Sequence, residues 1–528
     1  MSNPANFKAL KGGKTTAQGK AQRDAALGPP PPQNPSPEGA PQMPVGWTNT
    51  VIEDCLLAYE NGRKIRQGWS PQCEGHPAES RDDWGVLKTS AIQDGLYVDA
   101  ANKQLPEKLE PRAHLEVEIG DILITCAGPR SRCGVACLVR KTRPKLLISG
   151  KMYQLRADPE TIDRGLLELF LREPGTQKRI DEMKTGISDS GLNLTHSRFA
   201  TLEIPLPPLA EQRRIVAKIE ELFSELDSGE ESLRRARRQL GVYRQSLLKQ
   251  AFEGKLTEQW RKQNPQLLES LASDNDIPTD ELERFSELPA CWRYTRLGRF
   301  IHQIDAGKSF RCEERRPKPN EIGVAKVSAV TWGEYDEAES KTCIDPSKEN
   351  PSYFIRDGDF LLSRANTIEL VGACVIVRRV TQPIMLSDKT LRLKIDDERK
   401  SFLLQYLRSH QGRREIEKRS TGNQESMRNI GQERIRSIVI PDCSLPEQQE
   451  IVRLLDEQFT VIEQNEWEID AALKRSAALR QSILKKAFTG QLVPQDPTDE
   501  PASALLERIR AERAATPSAT SRRIKARK

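Results

Sequence analysis

The sequence predicts an α+β chain: two mixed α/β globular domains joined by two long helices, the helices forming an antiparallel coiled coil and the whole carrying a pseudo-two-fold internal repeat. Three observations predict it. Residues 204–256 and 440–492 align without a gap, with about twenty identical positions. Each copy carries apolar residues in a 4–3 alternation, the pattern of a coiled-coil seam. The globular stretch ahead of each copy repeats a set of anchor residues in the same order. Repeated Leu and Ile follow from packing alone, but repeated polar residues at fixed spacing mark a duplication. These are Glu211, Gln212 and Arg244 to Ser246 in one copy, Glu447, Gln448 and Arg480 to Ser482 in the other.

At 528 residues the chain holds several domains, each able to bury its own core. Charged residues make up 30% and aromatics 5%, which suits long charged helices. A net charge of +6 permits nucleic-acid binding without arguing for it, so the local distribution of cations decides. Ten scattered cysteines and an opening without a secretory pattern predict a reducing cytoplasm. No apolar run reaches the ~18 residues of a membrane helix. Cys126, Cys133 and Cys137 lack close ligand pairs and a fourth ligand, so they read as buried strand cysteines, not a metal site.

In chain order, residues 1–43 are a proline-rich, basic head too poor in apolar residues to offset the entropy of ordering. Its Gly12-Gly13-Lys14-Thr15 fails as a phosphate loop, because Lys8 stands where the first glycine belongs. Residues 44–203 are the first globular domain. Strands are predicted at Gly85 to Ile92, Asp121 to Cys126 and Gly134 to Val139 by alternation and β-branching, and a helix at Arg164 to Arg172 by Leu166, Leu167, Leu169 and Phe170. Residues 204–256 form the first rod, 257–288 a linker, and 289–439 the second globular domain. Its anchors match the first: Gly323, Lys326, Ser328 and Ala329 answer Gly85, Lys88, Ser90 and Ala91; Gly358-Asp359 answers Gly120-Asp121; Lys389 answers Lys151; Thr421-Gly422 and Asn429 answer Thr185-Gly186 and Asn193. An invariant frame with divergent filling is what two copies show when each reads a different ligand. Residues 440–492 form the second rod, and 493–528 a C-terminal helix (Ala504, Leu505 and Ile509 on one face) with a basic end.

The seam is predicted through Ile215, Ile219, Leu222, Leu226, Gly229, Leu233, Ala236, Leu240, Tyr243 and Leu247. Its twin runs through Ile451, Leu455, Gln458, Ile462, Asn465, Ile469, Ala472, Ser476, Leu479 and Ile483. Such a stripe needs cover. Either each rod packs on its own globular domain, or the rods pack on each other. The second arrangement, antiparallel, holds the globules at opposite ends and suits two separated half-sites on one duplex.

No catalytic constellation is present. The five histidines are isolated, and there is no G-x-S-x-G elbow, Walker loop or amino-methyltransferase motif.

The doubled Ile-Pro…Leu-x-Glu-Gln-x-x-Ile-Val and Arg-Gln-Ser-[Leu/Ile]-Leu-Lys-x-Ala-Phe-x-Gly-x-Leu resemble the specificity subunits of type I restriction-modification systems. So do Leu256-Thr-x-x-Trp260-Arg261 and Asp499-Glu-Pro-Ala-Ser with the helix after it. The proline-rich head departs from the usual start of that family. The resemblance implies a non-catalytic DNA-recognition subunit. Each globule is then a target-recognition domain reading half of a split, asymmetric sequence in double-stranded DNA, and the coiled coil sets the gap. It also implies two modification (methyltransferase) subunits binding S-adenosylmethionine, restriction subunits using ATP and Mg for translocation and cleavage, and a prokaryotic cytoplasm; this chain has no cofactor or metal of its own. The alternative is a coiled-coil scaffold that binds proteins without sequence-specific DNA binding.

Under the resemblance, the repeated polar anchors Lys88, Ser90, Lys151, Asn193, Lys326, Ser328, Lys389 and Asn429 are candidates for backbone contacts. Base-reading candidates lie where the copies differ: Arg63, Lys64, Arg66, Arg81, Arg130 and Arg132 in the first domain; Lys308, Arg311, Arg315, Arg316, Trp332, Arg364 and Asn366 in the second. Candidates for binding partner subunits are Glu211, Gln212, Arg244, Gln245, Ser246 and Phe252 with their counterparts Glu447, Gln448, Arg480, Gln481, Ser482 and Phe488, because a coiled-coil seam does not by itself require them.

Overall fold

A computed structural model describes residues 43–269, 271 and 277–515. The expectations for the proline-rich head and the basic end lie outside the described residues. Two helices of 44 residues each, Leu209–Phe252 and Leu445–Phe488, form the rods; at 1.5 Å per residue each is about 65 Å long. Both begin with an acid in the first turn (Glu211, Glu447) and end with lysines (Lys249; Lys485, Lys486), the arrangement the helix dipole favours. Gly254 and Gly490 follow the last turn at φ +72° and +68°, a left-handed conformation that stops a helix and favours glycine.

The rods pack on each other, antiparallel. Arg480 Nη2 lies 2.6 Å from Asp227 Oδ1, Arg237 Nη1 2.9 Å from Asp470 Oδ1, and Tyr243 donates to Gln458 Oε1 at 3.3 Å. The seam differs from the predicted one at alternate positions. Phe459, Glu466 and Arg480 turn inward where Gln458, Asn465 and Leu479 were expected. On the first rod Glu230 and Arg244 replace Gly229 and Tyr243. Hydrophobicity favours Leu479 and Tyr243, yet both stay about half exposed. What outweighs it is a pair of arginine clamps. Arg244 lies over the Phe459 ring and faces Glu463 and Glu466; Arg480 lies over the Phe223 ring and faces Asp227 and Glu230. The clamps are related by the pseudo-two-fold axis. Ser476, a polar seam residue, is satisfied by Glu230 at 2.7 Å.

Each globular domain is zipped shut at its base. In the first, Thr48–Val51 pairs antiparallel with Glu203–Leu206, so the domain's two ends meet where the rod begins. In the second, Arg293–Arg296 pairs with Val439–Asp442 in the same way. The first domain's central sheet orders strands Ile65–Gln67, Met152–Leu155, Ile122–Thr125 and Ala136–Leu138. The second repeats it with Gln303–Ala306, Thr390–Lys394, Phe360–Ser363 and Cys374–Ile376. A second sheet accompanies each; in the second domain it gains an extra edge strand, Cys312–Glu313. The predicted helix spans Arg164–Arg172, capped by the Asp163 carboxylate, which accepts from the Gly165 and Leu166 amides. Cys126 and Cys133 sit in one core and Cys137 in another. No group of metal-ligating side chains is found among the described residues.

Both rods enter both main cores. Ile215 and Ile219 of the first rod and Leu484 and Ala487 of the second line the first domain's core. Leu247, Leu248, Ala251 and Phe252 of the first rod and Ile451, Leu455 and Phe459 of the second line the other. Each globule therefore grips the start of the rod that follows it and the end of the other rod. The chain end closes the arrangement. Helix Ala502–Ala515 lays Ala502 and Leu506 into the first core, the Ala502 amide donates to Gly46 O, and Arg510 reaches Asp54 at 2.9 Å.

Candidate nucleic-acid interface

Each globule carries a small three-stranded sheet besides its central one. In the first domain Leu192–Leu194 pairs with Lys184–Thr185 on one side and Ala127–Gly128 on the other. In the second, Met427–Asn429 pairs with Thr421–Gln424 and Ala365–Asn366. These sheets gather part of the expected set. Asn193 and Asn429 are exposed at equivalent strand positions. The carbonyls of Lys151 and Lys389 accept from the Cys126 and Arg364 amides at 2.8 Å, so both exposed lysines flank the same strand. In the second domain Arg364 Nε donates to Asn429 Oδ1 at 3.4 Å, with Asn366 adjoining. Arg130 stands on the loop after Ala127–Gly128, Lys88 and Ser90 are exposed on the turn beside strand Gly85–Leu87, and Arg63 and Arg81 are exposed on other loops.

Several candidates are engaged inside the chain. Arg66 lies over the Tyr59 ring and donates to His114 O. Lys64 donates to Glu53 O at 2.8 Å, and Arg132 to Thr89 O and Ile92 O, bracing one loop against another. Arg130 forms ion pairs with Asp181 and Asp189. In the second domain Lys308, Arg311 and Arg316 are exposed, but Arg315 is neutralised by Glu313 and Glu321. That arginine's hydrogen bonds hold the Glu321 carboxyl down at about 2. Ser328 donates to Glu339 at 2.6 Å, with Lys326 at 4.0 Å from the same carboxylate. Trp332 donates to Glu369 O, lies under the Arg413 guanidinium and packs on the second core. Arg66, Arg132, Arg315 and Trp332 are thus engaged by groups of this chain. For Arg66, Arg132 and Trp332 the acceptors lie 37 to 48 residues away in the chain, a pairing that an isolated cation or indole does not reveal.

The partner-docking set divides. Glu211, Gln212, Glu447 and Gln448 are buried. Glu211 accepts from the Trp47 indole at 3.0 Å and Glu447 from the Trp292 indole at 2.9 Å. Gln212 Nε2 donates to the Thr161 and Pro207 carbonyls, and Gln448 Nε2 to Asp442 and Cys443 O. They fasten each globule to its rod and are not surface groups of this chain. Glu447 also takes Thr257 Oγ1 at 2.7 Å and Arg261 Nη1 at 2.6 Å, whereas Glu211 Oε1 has no hydrogen-bond partner among the described residues. Burial pushes the Glu211 carboxyl up, against the opposing Trp47 hydrogen bond. Arg244 and Arg480 are the seam clamps. Phe252 packs edge-on against Phe402 and Tyr406, and Phe488 against Phe170. Gln245, Ser246, Gln481 and Ser482 remain exposed. Gln245 and Ser246 border a cleft of about 490 Å³ shared with Tyr294, Tyr406, His410 and Arg414 of the second domain. The Trp–Glu fastenings had a sequence signal: Pro-x-x-Trp and Glu-Gln are both doubled.

Comparison with known proteins agrees with this architecture. A family model described as the type I restriction modification DNA specificity domain matches residues 101–233. The chain is 37% identical over 186 residues to the EcoEI specificity subunit of Escherichia coli, an alignment covering 35% of this chain and 30% of that protein. It is 27% identical over 496 residues to the EcoKI specificity subunit of E. coli K12, covering 91% of this chain and 97% of that one. A solved chain from a study of assembly and conformational transition in the type I R-M system shares the fold at a TM-score of 0.61 and 20% identity, covering 85% of this chain and all of the other. In its doubled rods, paired globules and near full-length alignment, the chain is similar to the type I restriction-modification specificity subunits.

Proposed function

We propose that this chain is the sequence-specific DNA-recognition subunit of a type I restriction-modification complex. The domain in residues 44–203 reads one half of a bipartite, asymmetric site and that in residues 289–439 the other. The observation that carries this reading is the antiparallel rod pair with one globular core at each end, a geometry that presents two readers at a fixed separation along a duplex. The rods, residues 204–256 and 440–492, set the gap. The chain contributes the address and no catalytic step. Two modification subunits bring S-adenosylmethionine and methylate adenine, restriction subunits bring ATP and Mg, and the assembly works in a prokaryotic cytoplasm. Gln245, Ser246, Gln481 and Ser482 form the exposed part of the docking surface for the modification subunits.

The test is to co-express the chain with its modification partners in a host lacking adenine methylation and map every methylated adenine. A single split motif with a fixed gap is expected. Methylation without a shared motif, or a motif unchanged when another specificity subunit replaces this one, overturns the reading and leaves the protein-binding scaffold.

A further inference from the structure

The two small sheets share one backbone frame but differ in several of their exposed side chains. Thr185 Oγ1 donates to Asn193 O at 3.2 Å and Thr421 Oγ1 to Asn429 O at 3.3 Å. The Leu194 amide donates to Cys126 O and the Ile430 amide to Arg364 O. Each hairpin tip is tied down by one further bond at 2.8 Å: Arg130 N to Asp189 O, and Ile368 N to Glu425 O. Gly186 and Gly422 open the two tips at positive φ, where a Cβ would meet the carbonyl oxygen of Gly191 at 2.7 Å or of Met427 at 2.3 Å. Between these fixed points the first tip carries Ile187, Ser188, Asp189 and Ser190, and the second carries Asn423, Gln424, Glu425 and Ser426, at equal length. Beside them Arg130 in one domain becomes Ile368 in the other.

The tips are also held stiff. In the first domain Arg130 Nε and Nη2 both reach Asp189 Oδ1, and Lys184 joins Arg130 O to Asp181. In the second, Arg428 donates to Gly422 O and Ser420 O. Yet each hairpin points a large apolar side chain into water: Ile187 is fully exposed and Met427 is 74% exposed. Neither gains from burial within the chain, and two equivalent hairpins carry this feature.

We propose that these hairpin platforms, residues 184–194 with 127–131 and residues 421–429 with 365–370, are the base-reading elements, each entering the major groove of its half-site. This rests on the DNA-recognition reading above and adds where the bases are read. A two-stranded ribbon fits a major groove about 12 Å wide. The exposed amides of Asn423 and Gln424 suit the paired donor and acceptor edge of adenine, and an aliphatic group such as Ile187 suits the thymine methyl. A constant frame fixes the approach while the three tip positions that differ, 187–189 against 423–425, set the letters. Lys151 and Lys389, flanking the same strands, stand where phosphates would pass.

The test exchanges tip residues 187–190 for those of 423–426, a length-matched graft that keeps both glycines and the acid at the third position, in the full subunit assembled with its modification partners. Methylated adenines are mapped for wild type, graft and the reciprocal graft, with I187A and N423A as milder variants. The expected result is a change at one or two positions of a single half-site, with the other half-site and the gap unchanged. Each alanine variant lowers discrimination about 5- to 150-fold at one position. An unchanged motif in active grafts overturns the proposal, as does uniform loss across all sequences in the alanine variants. If wild type itself shows no split motif, the recognition reading has failed; if wild type reads one and the grafts do not alter it, only the hairpin assignment has.

Discussion

The two Trp–Glu fastenings look alike in sequence but differ in strength, and Glu447→Gln compared with Glu211→Gln measures the difference. Glu447 is fully buried and answers three donors, one of them the guanidinium of Arg261, whose side chain is 12% exposed. Neutralising one member of a buried ion pair while its partner stays costs about 3–5 kcal/mol. Glu211 answers one donor, and its other oxygen is buried without a hydrogen-bond partner among the described residues. A glutamine there keeps an acceptor for Trp47 and removes a desolvated charge, so the change is expected within about 1 kcal/mol of neutral. The second globule should therefore lose at least about 2 kcal/mol more than the first. Because the chain has two main cores, a single unfolding energy is ill-defined. The assay is peptide-resolved hydrogen exchange on Arg293–Arg296 and Val439–Asp442 against Thr48–Val51 and Glu203–Leu206. Equal effects on the two globules would refute the reasoning. So would full additivity of Glu447→Gln with Arg261→Met, since paired groups must couple. The pH dependence has a definite sign. The Glu211 carboxyl titrates above its unfolded value, so its contribution is fully present in acid and is lost as pH rises from about 4 through the raised value. Glu211→Gln should flatten that decline in the first globule, and a slope of opposite sign would contradict the burial argument.

Two further outcomes follow from the rods and the closure. Arg480→Ala removes a part-exposed ion pair and a ring contact, for an expected loss of about 1–2 kcal/mol in local opening of the rods, read by hydrogen exchange on rod peptides; Arg480→Glu should lose more and be partly rescued by Asp227→Arg with Glu230→Arg, and absence of rescue would show that the charges do not hold the register. Gly490→Val places a Cβ 2.4 Å from Pro44 at φ +68° and should cost more than about 1 kcal/mol, freeing helix Ala502–Ala515 for limited proteolysis, whereas an unchanged cleavage pattern would mean that the helix docks independently of that turn.

The rods were legible because a gap-free repeat with heptad spacing survives any tertiary context. The helix Arg164–Arg172 was legible because its four apolar residues sit at helical spacing behind a capping aspartate. The seam's phase was misread at Leu479 and Arg480, since hydrophobicity ranks a leucine above an arginine whose stem covers a ring and whose charge has two acids to meet. The hairpin platforms leave little trace in the sequence: their tips are short loops without periodicity, and only their anchors Thr185, Gly186, Asn193, Thr421, Gly422 and Asn429 repeat. The Glu-Gln pair is visible in the sequence but its task is not, because the indole each glutamate accepts from lies 164 or 155 residues upstream.

By itself the sequence determined the duplication of rods and globules, the two rods and their length, the helix Arg164–Arg172, and the likeness to a specificity subunit. All of these are written in periodicity and in repeated residues. Only the tertiary structure decided which side chains face across the rods, that Glu211 and Glu447 are buried fastenings, that each globule grips both rods, and that helix Ala502–Ala515 closes the chain onto its beginning. The physical reason is that these depend on pairing groups as far apart in the chain as Asp54 and Arg510, whose complementarity exists only once the antiparallel rods have brought the two ends together.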